Sequence, residues 1–345
     1  MSDAGALRRF LPQIATLLII LALNTAVFPQ FLDLTFQNGR LYGSLVDVLN
    51  RGAPVALLAI GMTLVIATKG IDLSVGAVMA ICGAVAASAV AAGESTATAI
   101  LAALAVGVLC GVWNGFLVAV LGMQPIVATL ILMVAGRGIA QLITEGVIVT
   151  FSDPGLAFFG SGSFLGLPMP VILWVGAGIL ATLIVRKTAL GLLIEAIGVN
   201  RRASSLSGVN SRVLLVTVYM ASGLCAAVAG IIVTADIRGA DANNAGLWLE
   251  LDAILAVVLG GTSLLGGRFT LLGSLIGAMI IQSINTGILL SGFPPEFNLI
   301  IKAVIIMLIL LIQSPAIRMG MLFWRIRPPE PAEFLPKERK EGSAP

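Results

Sequence analysis

Few residues in this chain could do chemistry, and none of them form a catalytic set. Lys69 and Asp72 stand three residues apart at a glycine-punctuated break between apolar runs. At that spacing they could make a local ion pair that steadies a turn, or act as a gate. Arg137 lies well inside an apolar run. A charge at mid-bilayer costs ~2.5–3.5 kcal/mol on insertion scales, so Arg137 requires either a structural partner or a water-filled pathway. Asn114 and Asn285 are amides inside apolar runs, placed either to bond between helices or to line a polar pathway. The stretch 236–252 gathers Asp236, Arg238, Asp241, Asn243, Asn244, Trp248, Glu250 and Asp252. Such a cluster could meet a partner or form a gate; the plain alternative is a solvated loop with Trp248 as an interfacial anchor.

What is missing narrows the chemistry. The 345 residues contain no histidine, which removes the commonest general base and transition-metal ligand. Cys82, Cys110 and Cys225 lie far apart, each within an apolar run, and read as packing residues. None of the five lysines, Lys69, Lys187, Lys302, Lys337 and Lys340, follows a glycine, so the chain offers no P-loop. We expect no catalytic residue, no metal site and no cofactor held by this chain itself.

The elements that position these residues must be membrane helices. Hydrophobic residues make up 58% of the chain and charged residues 11%, too few to cover the surface of a water-soluble domain. Unbroken Leu/Ile/Val/Ala runs recur where a barrel would show strand-period alternation. The runs fall near 11–28, 53–68, 73–92, 97–121, 125–144, 169–185, 213–235, 249–265, 269–291 and 298–316. They predict an all-α polytopic bundle of about ten spans, with 53–68 and 249–265 short enough to be broken or re-entrant. The break-containing stretches Ala59–Gly76 and Ala253–Gly267 echo one another, as in transporters built from two repeated halves.

Charge orients the bundle. Arg8 and Arg9, then Arg186, Lys187, Arg201, Arg202 and Arg212, then Arg318, Arg325, Arg327, Lys337, Arg339 and Lys340 are thirteen of the 20 basic residues. Ten spans put all three groups on one side, which the positive-inside rule makes the cytoplasm. Both termini are then cytoplasmic, and 29–52 and 145–168 are external, with Arg40 and Arg51 running against the rule. No A-x-A-like site follows the first run, so we read it as a retained anchor rather than a signal peptide. A membrane domain thus covers 1–327, and the Pro-, Glu- and Lys-rich tail 328–345 is expected to be disordered. The net charge of +3 needs no nucleic-acid partner to explain it.

The loop 186–212 is long, basic and punctuated by Gly191, Gly198 and Gly208. A short amphipathic helix fits 188–199, with Leu190, Leu193, Ile194 and Ile197 on one face. On physics alone it could equally be a surface helix lying on lipid headgroups. Its residue order, Leu190-Gly191, Glu195-Ala196, Gly198, Asn200, Ala203 and Ser207-Gly208-Val209-Asn210, resembles the coupling loop of ribose-type ABC importer permeases, with Ile197 where the general motif has a second Ala. The resemblance extends to Gly70-Ile71-Asp72-Leu73-Ser74-Val75-Gly76, Trp113-Asn114-Gly115, Gln124-Pro125, Ala135-Gly136-Arg137-Gly138, Glu250-Leu251-Asp252-Ala253-Ile254 and Gly260-Gly261-Thr262-Ser263-Leu264. Residues 235–250 and 285–296 are similar to the branch of that family that imports galactofuranose.

What the resemblance implies is a permease subunit that hydrolyses nothing itself. Gly191, Glu195, Ala196, Gly198, Asn200, Ala203 and Gly208 would form the surface that docks on an ABC ATPase subunit, which would bind ATP and Mg. An extracytoplasmic sugar-binding protein would deliver a monosaccharide, and a second permease subunit, a paralogue or another copy, would complete the pathway. Candidate pathway residues are Asn114, Arg137, Asp236 and Asn285. The alternative is an ion-coupled secondary sugar transporter, which would need intramembrane acids; here the acids sit near span ends.

Overall fold

The computed structural model describes residues 3–37, 40–292 and 295–313. The tail 328–345 and the basic residues from Arg318 onward lie outside them. Among the described residues the helices are α1 (Asp3–Val27), α2 (Ser44–Arg51), α3 (Ala53–Ala67), α4 (Val75–Ala91), α5 (Thr96–Ala119), α6 (Pro125–Ile143), α7 (Pro154–Ser161), α8 (Met169–Lys187), α9 (Leu190–Leu206), α10 (Ser211–Ile237), α11 (Leu249–Leu259), α12 (Leu271–Leu290) and α13 (Pro295–Gln313). The chain divides at Lys302 into two units, residues 1–302 and 303–345; of the second, only the end of α13 is described.

Each of the ten apolar runs holds a helix. Among the described residues six helices are long and apolar enough to cross a membrane (α1 from Phe10, α5, α6, α8, α10 and α12), and seven if α2 and α3, bent by 42° at Gly52, count as one span. The helix α4 and the stretch Leu299–Ile309 are shorter apolar helices. The run 249–265, expected to be short enough to be broken, holds a helix only to Leu259, where Gly260 and Gly261 end α11 and Gly261 takes φ +84.

Packing follows from residue size. All 15 residues of α3 are buried. A helix apolar on every side belongs in the middle of a bundle, and α3 lies against α10, α11 and α12. The helices α5 and α10 approach through Gly107, Gly111 and Gly115, spaced four apart on one face of α5. A Cβ on Gly107 would meet the Ala227 side chain at 2.6 Å, and one on Gly115 would meet the Val216 Cα at 2.7 Å. The little-buried helix α1 is held to α12 where Asn24 Nδ2 donates to the Ser283 carbonyl at 2.9 Å.

The loops sort into two sets. At one end, Leu41 N donates to Gly166 O at 3.0 Å, Arg40 Nη1 donates to Ser161 O at 2.7 Å, and Val149–Thr150 pairs antiparallel with Gly239–Ala240. The segments expected to share the external side are thus bonded to one another. Thr96, at the start of α5, joins them by donating to Asp153 at 2.8 Å. At the far end of α5, the Ala119 carbonyl accepts from Arg201 at 3.2 Å. With ~1.5 Å of rise per residue, α5 separates the two loop sets by roughly 35 Å, a membrane thickness.

Candidate functional site at the helix breaks

At the Arg201 end, two helices stop inside the bundle. The helix α3 ends at Ala67, and the chain turns through Lys69 (φ +65) before α4 begins. The helix α11 ends at Leu259, and the connection to α12 uses Gly261, Gly266 and Gly267, all at positive φ. These two breaks, the paired echo of the sequence, touch: Gly267 N donates to the Ala67 carbonyl at 2.9 Å. The loop helix α9 rests on the junction. A Cβ on Gly198 would strike the Ala67 carbonyl oxygen and lie 2.5 Å from Gly267 N. Lys69 Nζ donates to Val199 O at 3.0 Å. Lys69 therefore does not pair with Asp72; its charge reaches across to α9 instead.

The amphipathic helix expected at 188–199 runs on to Leu206, kinked at Asn200 (φ −152, ψ 99). The Asn200 side chain accepts from Ala203 N at 3.0 Å and restarts the helix. Gly191, Ile194, Ile197 and Gly198 are buried, with Leu190 and Leu193 half-buried. That face is covered by protein, which excludes the reading of a helix lying on headgroups. Gly191 packs on the Val185 carbonyl. Glu195 lines a cavity of about 340 Å³ with Arg186, Thr188 and Phe269. Ala196 is half-buried, Ala203 is exposed, and Gly208 ends the segment at φ +88.

Above the first break lies a polar core that the sequence did not reveal. Asp72, 2% exposed, accepts from Ser74 N at 3.0 Å and Ser74 Oγ at 2.6 Å. Its second oxygen accepts from Ser222 Oγ on α10 at 2.8 Å. Asn114 on α5 donates to Ser74 Oγ at 2.7 Å, and its own amide oxygen is buried without a partner. Thr129 Oγ1 on α6 donates to Ile71 O at 3.2 Å and accepts from Leu73 N at 3.1 Å. Hydroxyls and amides from α5, α6 and α10 therefore hold the α3–α4 break, and Asn114 follows its interhelical reading.

Arg137, Asp241 and Asp252 have structural partners. Arg137 Nη1 donates to Ala242 O at 3.1 Å and Ala245 O at 2.5 Å, tying α6 to the turn before α11. In that turn Asp241 accepts from the Asn244 side chain at 2.8 Å and from two backbone amides. The Asn244 bond, followed by those amides, holds its carboxyl below the usual carboxylate range. Asp252 is buried and pairs with Lys302 on α13 at 2.9 Å. Asp72, Glu250 and Asp252 do sit at helix ends, yet they are only 2%, 4% and 6% exposed. Asp236 is exposed at the end of α10, and the Asn285 carbonyl oxygen on α12 is buried without a partner. Asn114, Arg137, Asp236 and Asn285 are not brought together around one cavity.

The residues missed were Ser74, Ser222 and Lys302. Lys302 left a signal, being a lysine inside an apolar run, which demands a buried acid. Ser222 left none, since a serine in a small-residue helix face is ordinary packing. Among the described residues no group of His, Cys, Asp and Glu could hold a metal ion.

Helices broken inside a bundle and held beneath a loop helix are the parts of a transporter, and the fold and site together define a multi-pass membrane permease. A family model described as branched-chain amino acid transport system / permease component matches residues 44–310, and the chain belongs to this family. It is 64% identical over 304 residues to the galactofuranose transporter permease protein YtfT of Escherichia coli strain K12, covering 88% of this chain and 89% of that one. It is 44% identical to the fructose import permease protein FruF of Bifidobacterium longum, covering 87% and 86%. To the ribose import permease protein RbsC of Escherichia coli strain K12 it is 40% identical, covering 86% and 91%. No solved structure matches the chain.

Proposed function

We propose that this chain is the transmembrane permease subunit of an importer driven by a separate ABC ATPase, carrying a monosaccharide, galactofuranose, into the cytoplasm across a bacterial inner membrane. The observation that carries the reading is the seat of Gly198, where α9 meets the ends of both broken helices with no side chain between. Packed protein is stiff and passes displacement on rather than absorbing it. A push on α9 by an ATPase binding ATP and Mg would therefore move the α3–α4 and α11–α12 breaks together. Gly191, Glu195, Ala196, Gly198, Asn200, Ala203 and Gly208 are the proposed coupling surface.

The remaining assignments follow. The Arg201 end, with both termini, faces the cytoplasm; α3, α4, α11 and α13 complete ten spans. The opposite end, built from 145–168 and 236–252, receives the sugar-binding protein. A second permease, a paralogue or another copy, completes the pathway; of the four candidates, Asp236 and Asn285 are the ones left to contribute polar groups to it, since Asn114 and Arg137 are engaged in structural bonds. A sugar is neutral and rich in hydroxyls, so its pathway needs small and hydrogen-bonding residues rather than a fixed counter-charge. The names of the relatives, galactofuranose, fructose and ribose permeases, support a sugar and galactofuranose first. The ion-coupled alternative loses one of its buried acids, because Asp252 is already neutralised by Lys302.

Uptake by vesicles holding the chain, its ATPase, its permease partner and the binding protein tests the cargo. Galactofuranose should accumulate ahead of ribose; ATP-driven uptake of another sugar only would overturn the cargo and leave the class.

A further inference from the structure

We infer that the cytoplasmic end of the bundle carries a binding site for a phosphate group, built by Lys69, Arg201, Arg202 and Tyr219. A cavity of about 620 Å³ opens there between the α3–α4 break, the α5–α6 turn and α9. Such a volume suits a small ligand. Its charged lining residues are Lys69, Arg201 and Arg202, with no acid among them. Two of these cations are only partly engaged. Lys69 donates one bond, to Val199 O, and an ammonium carries three donors. Arg201 donates to Ala119 O from one of its five N–H groups. Among the described residues the Arg202 side chain makes no hydrogen bond or ion pair.

The second observation is independent of the charge. Tyr219, on α10, also lines this cavity and is 0% exposed, and among the described residues its hydroxyl has no partner. The phenol tip lies against Gly70, where a side chain would come within 2.7 Å of it. A buried hydroxyl without a partner costs stability unless something accepts its proton. An anion seated among the three cations would accept it. The remaining lining mixes the polar Thr68, Gln124 and Asn200 with apolar residues such as Met123, Pro125 and Leu215.

A phosphate matches this set, since guanidinium forks bind phosphate oxygens in pairs while the ammonium supplies a point charge. It could come from an anionic phospholipid headgroup of the inner leaflet or from a soluble phosphate ester. Either would bridge the first helix break to α9, the contact that also seats Gly198. The inner-leaflet placement rests on the orientation proposed above; the site itself does not rest on the sugar.

The test uses the purified full-length chain in neutral detergent micelles, titrated with phosphatidylglycerol in one arm and glycerol 1-phosphate in the other, with bound adducts read by native mass spectrometry. We expect one phosphate-bearing adduct per chain. Lys69→Gln with Arg202→Gln should weaken it by tenfold or more. Tyr219→Phe should weaken it by roughly tenfold, the worth of one hydrogen bond to a charged group. Arg186→Gln, on the same basic loop but outside the cavity, should bind as the wild type does. Adduct in the lipid arm alone assigns a headgroup site, and adduct in both arms a free phosphate site. Adduct in neither arm, or equal loss in the Arg186 variant and the cavity variants, would overturn the proposal. Circular dichroism and thermal melting of each variant separate lost binding from lost fold.

Discussion

Replacing Gly198 by alanine is the smallest change that reaches the junction of the two breaks. The added Cβ would strike the Ala67 carbonyl oxygen and lie 2.5 Å from Gly267 N, where ordinary contact begins near 3.4 Å. Both atoms belong to backbone, and they are bonded to each other at 2.9 Å, so neither can swing aside as a side chain would. The helix α9 must therefore lift by more than the ~1 Å that would clear Gly267 N alone, or the bond between the breaks must open. Forcing a methyl group into packed structure costs about 1–3 kcal/mol. Spent on the coupling contact, the same energy amounts to roughly a 5- to 150-fold loss of linkage between ATPase and pathway. We expect Gly198→Ala to reach the membrane in normal amounts and to lose at least ~80% of ATP-driven uptake in vesicles holding the complete importer, with Gly198→Trp losing all of it. Gly138→Ala is the control, since a Cβ there meets nothing within 4 Å. Wild-type uptake by Gly198→Ala would refute the inference that α9 acts through this contact.

Further outcomes follow from the charged residues. Lys302→Met should destabilise the chain in detergent by about 3–5 kcal/mol by stranding Asp252, and Lys302→Met with Asp252→Leu should recover most of that; equal thermal melts for the single variant and the wild type would contradict the buried pair. Asp153 caps α7 by accepting from Leu156 N at 2.6 Å, and that bond, then the Thr96 hydroxyl, depresses its pKa. Because the folded value lies below the unfolded one, the cap is present above the usual carboxylate range and is lost as pH falls through the folded value. The protection of α7 amides against hydrogen exchange, taken relative to the intrinsic rate at each pH, should fall in acid for the wild type and be low at every pH for Asp153→Ala. On a background lacking the three native cysteines, an impermeant thiol probe on intact cells should label position 153 and spare position 202; the reverse pattern would invert the orientation.

Much of this was legible because lipid permits few solutions. Apolar runs had to be helices, and the basic loop and its glycines pointed to α9 and to Gly198 before any geometry was known. The echo of Ala59–Gly76 in Ala253–Gly267 marked both helix breaks. It did not show that they touch, since a bond from Gly267 to Ala67 leaves no trace in either segment. Arg137 was recognisable as a residue in need of a partner, but its partners are backbone carbonyls, which every residue possesses. The pairing of Lys69 with Asp72 failed because three residues is a helical spacing and the chain between them is not helical; the positive φ of Lys69 turns its side chain toward α9. The Asp72 core was illegible for a related reason, as its donors beyond the local Ser74 come from three separated helices through Asn114, Thr129 and Ser222.

The central claim is that this permease has no motor of its own and is driven through α9 by a separate ATPase. Sugar accumulation by vesicles containing the chain and its permease partner, measured with ATP, with a Na⁺ gradient and with a proton gradient, each in the presence and absence of the ATPase and binding protein, tests it most directly. The account predicts accumulation only when ATPase, binding protein and ATP are all present. Uphill uptake under either gradient without the ATPase would contradict it.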